Sequence, residues 1–208
     1  MRDRPLDCLI VSPNSRLSAY GPLHEFAAVE PPLWAGLIAA FLRERGYGVA
    51  MLDAEALALP AGQIGQAVVD AKPRLVAVVV YGHQPSASTQ TMPAARIALQ
   101  AIRDAAPEVP TILVGGHPSA LPLQTLKEEP TTFVAEGEGG FTLAGLIEKF
   151  QGRDISLRNI PGLWFDSAGV PGCAEADGLV RIRNNGRRVP GLLQLQWESA
   201  SHHDRTAG

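Results

Sequence analysis

Apolar and polar positions follow two alternating patterns along the first 150 residues of the chain. Short apolar runs predict five β-strands, at 7–11, 48–52, 75–80, 111–114 and 132–135. Each run is apolar almost throughout instead of at every second position, which is typical of strands that are covered on both faces. The run at 75–80 is the most apolar of the five, so we expect it at the centre of a sheet.

Between these runs, apolar residues recur at the three- and four-residue spacing of an amphipathic helix. The clearest helix follows Pro31 and Pro32, carries apolar residues from 33 to 42, and ends at Gly46. Further helices are predicted at 61–71, 93–106 and 141–150, with a short, irregular helix near Pro118. This alternation predicts an α/β fold with a doubly wound, flavodoxin- or Rossmann-like parallel sheet of five strands in the order 2-1-3-4-5.

The pattern changes after residue 154. Apolar segments at 160–165 and 172–182 flank a turn at 166–169, and together they predict a β-hairpin. We therefore divide the chain into a Rossmann-like domain at 1–154 and an extension at 155–208, which holds the hairpin and a polar tail.

Composition narrows the classes of protein to which the chain can belong. The 208 residues are 46% hydrophobic and 19% charged, a balance typical of a globular protein, and the formal net charge of −3 gives no reason to expect a nucleic-acid partner. The apolar run near the N-terminus is too short for a signal peptide or a membrane span. Cys8 and Cys173 are too few for a disulfide framework. We expect a cytoplasmic protein that has no membrane partner.

In an open parallel sheet, a ligand binds beyond the carboxyl ends of the strands, next to the point where the strand order reverses. Here that point lies between strands one and three, and the loops to consider are 12–30, 81–92, 115–121 and 136–140. The first loop is much longer than an ordinary βα connection, which favours a functional loop over a flexible surface loop. Each serine or threonine of the second loop is individually better explained as a helix cap. The glycine pairs of the last two loops allow a ligand to approach the backbone, but a tight turn would need them equally.

Familiar nucleotide-binding and catalytic patterns are missing. The sequence contains no GxxxxGK[ST] and no GxGxxG after strand one, so ordinary ATP or NAD binding loses its main support. His83 and His117 follow strands three and four, where a general base or a metal ligand would lie. Neither has a neighbouring cluster of acidic residues or histidines, and we therefore predict no catalytic residue and no metal ligand.

Three segments resemble the N-terminal cobalamin-binding domain of B12-dependent radical SAM proteins: 31–55 (PPLWAGLIAAFLRERGYGVAMLDAE), 114–126 (VGGHPSALPLQTL) and 133–148 (FVAEGEGGFTLAGLIE). The following IPGLWFDSAG resembles the linker that leads into the radical SAM barrel of that family. The resemblance implies a cobalamin site on the strand-end loops, with Gly115 and Gly116 accommodating the nucleotide tail and Ser86 and Ser88 loosely matching a Ser-x-Leu contact. The implied cofactor-binding residues are Ser12, Asn14, Tyr20, Tyr81, Gly82, His83, Gln84, Ser86, Ser88, Gly115, Gly116, His117, Pro118, Glu136, Gly137, Glu138 and Gly139.

Two departures from related patterns shape the expected function. Methionine-synthase-like B12 domains place Asp-x-His-x-x-Gly after strand one to ligate cobalt, and SPNSRLSAYG at 12–21 lacks it, so the resemblance implies base-off cobalamin without a histidine ligand. The radical SAM signature Cys-x-x-x-Cys-x-x-Cys is also absent, and we expect no iron–sulfur cluster on this chain. The chain is then either a truncated or split part of such an enzyme or a free-standing cofactor module. Its expected partners are cobalamin and a radical SAM catalytic domain or chain.

Two alternative functions remain open. The first is a degenerate Rossmann-like domain that binds no corrin and only mediates assembly with a catalytic partner. The second is a small independent α/β enzyme that uses His83 or His117.

Overall fold

The computed structural model describes residues 5–82, 85–166 and 179–181, and within them the strands form one seven-stranded sheet. The strands are β1 (Cys8–Ser12), β2 (Val49–Asp53), β3 (Leu75–Val79), β4 (Thr111–Val114), β5 (Phe133–Ala135), β6 (Leu163–Asp166) and β7 (Leu179–Arg181). Their order is β2-β1-β3-β4-β5-β6-β7. Because β1 to β5 pair in parallel, the predicted doubly wound α/β fold and its strand order are confirmed.

Helices cover both faces of this sheet. They are α1 (Arg16–Tyr20), α2 (Leu33–Glu44), α3 (Ala61–Ala71), α4 (Pro85–Ala105), α5 (Gly116–Ala120), α6 (Pro122–Glu128) and α7 (Gly140–Phe150), with short 3-10 helices at Gly21–Phe26 and Leu157–Asn159. α2 and α7 pack over one apolar cluster, and α3 and α4 pack over a second cluster on the other face. Successive strand residues contribute to opposite clusters, which explains why the strands are apolar at nearly every position.

The start of α4 corrects the sequence prediction. The prediction began this helix at 93, but it begins at Pro85 and Pro93 lies inside it. A proline in a helix leaves the carbonyl four residues earlier without its helical donor. That residue is Thr89, which is exposed, so water can hydrate the carbonyl. Much of the expected loop at 81–92 is therefore helix, and Ser86 and Ser88 lie in its first turns.

The extension after residue 154 joins the same sheet. β6 pairs antiparallel to β5, and β7 pairs antiparallel to β6, while the predicted turn at 166–169 runs into residues outside the described ranges. Because both pairings are antiparallel, β7 runs in the same direction as β5. Trp164 of β6 pairs with Val134 on one side and with Arg181 on the other. Within the described residues, no helix is both long enough and apolar enough to cross a membrane.

Candidate functional site

A cavity of about 710 Å³ opens where β1 and β3 end, at the point where the strand order reverses. We call it the edge cavity. Four predicted site residues line it, namely Ser12, Tyr20, Tyr81 and Gly82. The strand order therefore brings together residues from the loops after β1 and β3, as the sequence predicts for an open parallel sheet.

The long segment after β1 is folded and closely tied to its neighbours. It forms α1 and the first 3-10 helix, and the Arg16 guanidinium donates hydrogen bonds of 2.6 Å to the carbonyl oxygens of His24 and Ala27. Ser15 donates from its backbone nitrogen and its hydroxyl to the Glu55 carboxylate, at 3.1 and 2.9 Å. These bonds fix one wall of the edge cavity, since Ser15 and Glu55 both line it. Asn14 lies half-buried in the same segment.

An aromatic pair forms a second wall. Trp34, in the first turn of α2, stacks on Tyr81 with ring centroids 4.9 Å apart and an interplanar angle of 30°. The Tyr81 hydroxyl donates a 2.9 Å hydrogen bond to the Gly137 carbonyl oxygen. Burial, and secondarily the negative charge of Glu138, raises the pKa of Tyr81 to about 12, so the phenol stays protonated at physiological pH. The sequence prediction missed Trp34, although its place two residues after Pro32, at the end of the long first loop, marks it as a side chain at the same edge.

A set of hydrogen bonds connects the loops after β4 and β5 to α4. The buried Ser88 hydroxyl accepts from the His117 backbone nitrogen at 2.9 Å, so this serine contacts the first turn of α5 and does not cap its own helix, α4. The Thr89 hydroxyl lies 3.1 Å from His117 Nδ1. The Gly137 nitrogen donates to the Ser119 hydroxyl at 2.7 Å. We call these contacts the loop network, and Tyr81 links it to the edge cavity through Gly137.

Glycine packing brings the strand ends close together. A Cβ on Gly115 would lie 2.6 Å from Val80 Cγ2 and 2.8 Å from the Val80 carbonyl oxygen, so only glycine allows this approach. Gly137 and Gly139 have φ values of +90° and +81°, which favour glycine in the loop after β5. Among the glycines that the structure describes, Gly116 is not one of those with positive φ.

The remaining predicted residues are more dispersed. Glu136 turns toward β6, where its carboxylate accepts a 2.8 Å hydrogen bond from Trp164 Nε1. Pro118 is buried in α5, and Glu138 is exposed. His83 and Gln84 lie outside the described residues, as does the side chain of Ser86. Of the predicted set, the structure therefore places Ser12, Tyr20, Tyr81 and Gly82 at the edge cavity and Ser88, His117 and Gly137 in the loop network.

Metal-binding and nucleophilic chemistry find little support in the described part of the chain. No group of three or more His, Cys, Asp or Glu residues there is placed to hold a metal ion. Cys8 is fully buried in β1, and this burial raises its pKa to about 12, so its thiol is poorly suited to act as a nucleophile.

Comparison with known proteins gives one family and several similar structures. The family model of the B12 binding domain matches residues 22–147, a range that holds most of the edge cavity and all of the loop network. No curated protein sequence matches the chain.

Solved structures of two enzymes have a similar fold. The radical S-adenosylmethionine methyltransferase TsrM from Kitasatospora setae, with tryptophan substrate and a SAM analog bound, superposes with a TM-score of 0.64 at 20% identity over 86% of this chain. The cobalamin-dependent S-adenosylmethionine radical enzyme OxsB, with aqua-cobalamin and S-adenosylmethionine bound, gives a TM-score of 0.54 at 19% identity over 79% of this chain. The matches span 30% of the TsrM chain and 21% of the OxsB chain.

Proposed function

The chain belongs to the B12-binding domain family, and from this premise we propose that it is a module that holds cobalamin at the carboxyl edge of its sheet. The observation that carries the proposal is the edge cavity, which opens where β1 and β3 end within this family's fold. The degenerate, non-binding alternative offers no reason for a cavity with a fixed loop and an aromatic wall at this position.

The residues present fit a corrinoid. A corrin is a large, mostly apolar disc with amide arms, and the edge cavity combines apolar walls with a few oriented polar groups, as small-molecule sites do. The close approach of Gly115 to Val80 draws the ends of β3 and β4 together, and we place the nucleotide tail next to them, beside Gly116. We assign Ser12, Tyr20, Tyr81 and Gly82 to the cofactor's surroundings on this basis.

The chain's own residues have binding and orienting roles. Bound cobalamin supplies a cobalt centre that can carry a methyl group for transfer. The folded segment after β1 and the Trp34–Tyr81 pair would shield one side of the corrin from water, and the loop network would hold the β4 and β5 loops in register. A radical SAM catalytic domain or chain, as in TsrM and OxsB, is the partner that would use the exposed side.

We also propose that the cofactor is held base-off without a histidine ligand. The motif Asp-x-His-x-x-Gly is absent from the loop after β1, and the one histidine of that loop, His24, is not among the described residues lining the edge cavity. Its Nδ1 lies 2.9 Å from the Gly21 carbonyl oxygen. This contact involves Nδ1 only, and what disfavours a ligand from this loop is the absent motif together with the position of His24 outside the described lining of the edge cavity.

Absorbance tests the binding proposal directly. Purified chain mixed with hydroxocobalamin and then desalted should retain about one corrin per chain, whereas a colourless protein would support the assembly-domain alternative. Paramagnetic resonance of the cob(II)alamin state should show no nitrogen coupling from a lower ligand. Nitrogen coupling in the wild type would contradict the base-off proposal, and its loss in His83→Ala would assign that ligand to His83.

A further inference from the structure

We infer that a second cavity, beside α6, binds residues 191–197 of this same chain (GLLQLQW). The cavity has a volume of about 520 Å³ and lies between α6, the turn that precedes it and β6; we call it the α6 groove. It shares no described lining residue with the edge cavity, and the inference does not depend on the proposed cofactor role. Residues 191–197 lie outside the described residues, so the groove and the end of β7 carry the inference.

The α6 groove is largely apolar. Leu121 and Leu123, at the start of α6, are 44% and 39% exposed, and the apolar Ala120 and Pro122 lie beside them in the lining. Trp164 of β6 forms the opposite wall. Apolar side chains seated between these walls would remove the two leucines from water, which is favourable.

The end of β7 lies next to this groove. Arg181, the last residue of β7, pairs with Trp164, so β7 ends one strand, about 4.8 Å, from a wall of the groove. Because β7 runs in the same direction as β5, the chain heads toward the carboxyl edge at this point. Glu136, which follows β5 at that edge, also lines the groove. The residues after Arg181 therefore start beside the groove.

The sequence after β7 contains an apolar run that suits the groove. Leu193, Leu195 and Trp197 alternate with two glutamines. In an extended backbone, this alternation places apolar side chains on one side and amide side chains on the other. The stretch 182–192 can span up to roughly 36 Å when extended, so the apolar run can reach the groove from Arg181.

The charges at both ends of the 191–197 segment match the groove in one orientation. α6 begins at the carboxyl edge and runs toward Lys127, which is exposed and lines the groove. A chain that enters beside Glu136 brings the arginines at 187 and 188 to that carboxylate first, and brings Glu198 to Lys127 after the apolar run. The neighbouring Glu128 carboxylate already accepts a 2.8 Å hydrogen bond within α6. Exposed pairs of this kind add little affinity, but they favour one orientation.

Cross-linking of paired cysteines tests the identity of the occupant. We propose the 208-residue chain with Cys173→Ser, Leu123→Cys and Leu195→Cys, treated with a short bismaleimide without added corrinoid and analysed by peptide mass spectrometry. Cys8 can stay, because it is fully buried. Positions 123 and 195 should link within one chain, at a rate that does not depend on protein concentration.

Val69→Cys in place of Leu123→Cys is the matched control. Val69 is 37% exposed on α3 and does not line the α6 groove. Because the segment would then be held away from the new thiol, the link from position 195 should form more slowly by roughly tenfold or more.

Hydrogen exchange reports on the groove itself. A seated segment should slow the exchange of the α6 amides, since opening of α6 would also have to release the segment. Leu193→Asp with Leu195→Asp should speed this exchange by roughly tenfold, through loss of the buried leucines. Gln194→Asp with Gln196→Asp introduces the same charge at positions that face away from the groove, and it should leave the exchange unchanged. The α3 amides serve as the reference that the fold is intact.

Three results would overturn the inference. The first is a link from position 195 that forms as fast to position 69 as to position 123. The second is a link that forms between chains and depends on concentration, which would assign the α6 groove to a second copy. The third is α6 exchange that is equal in the two double variants. None of these measurements involves a corrin, so the proposed function is tested separately.

Discussion

Gly115 and Gly116 are adjacent in the chain, but they have different structural roles. Gly115 packs against Val80 so closely that any side chain would collide with it. Gly116 begins α5, is half-buried, and is not among the positive-φ glycines of the described residues. Backbone conformation therefore does not require glycine at position 116, and we propose that its small size gives access to a ligand.

Gly116→Val should weaken cobalamin binding by roughly tenfold or more, because a side chain would obstruct the proposed tail slot. Its unfolding free energy without ligand should change by only about 0.5 kcal/mol. Gly115→Val should instead destabilise the fold by roughly 1–3 kcal/mol through overpacking. Chemical denaturation and corrin titration measure the two effects, with Lys149→Ala on α7 as the control. Unchanged affinity in a folded Gly116→Val chain would remove this residue from the site.

Among the elements, the strands follow directly from the sequence. All five parallel strands lie within one residue of their predicted bounds, because strands buried on both faces need uninterrupted apolar runs. The start of α4 could not be predicted in this way, because a proline such as Pro93 usually marks the first turn of a helix. The helix tolerates Pro93 in its interior because Thr89, whose carbonyl loses its helical donor, is exposed to water. Trp34 was missed because its contact with Tyr81 joins residues that are distant in sequence. The prediction therefore found the loops that surround the edge cavity but not the side-chain pair that forms its aromatic wall.

Tyr81 connects α2, the end of β3 and the loop after β5, and its titration should affect stability. Its pKa is raised from 10.0 to about 12, so the folded state holds the phenolic proton more tightly than the unfolded state. The contribution of the protonated Tyr81 phenol to the free energy of unfolding is fully present below pH 10 and is lost as the pH rises toward about 12. Urea unfolding between pH 8 and 12 should show a steeper loss of stability for the wild type than for Tyr81→Phe.

Cys8 also has its pKa raised to about 12, but it is present in both proteins and its contribution cancels in the comparison. Parallel pH profiles for the two proteins would contradict the assigned environment of Tyr81.

At the scale of the whole molecule, the cysteines limit the chemistry that this chain can perform alone. Cys8 and Cys173 are its two cysteines, and a site-differentiated iron–sulfur cluster needs three thiolates close together. After anaerobic reconstitution we expect no stoichiometric iron or sulfide and no 5′-deoxyadenosine from S-adenosylmethionine. A Cys8→Ser, Cys173→Ser double variant gives the background level of adsorbed iron. Stoichiometric iron and sulfide together with 5′-deoxyadenosine in the wild type would contradict this expectation.

The direction of β7 has a consequence for any covalently attached domain. β6 reverses the chain and β7 reverses it again, so Arg181 lies level with Val134, next to the end of β5, and heads toward the carboxyl edge. A domain joined beyond this hairpin would be tethered on the side of the sheet where we propose that the cofactor binds. A flexible linker that spans the two sites gives an effective concentration in the millimolar range, so such a domain could contact the proposed corrin site through a weak surface and still stay engaged.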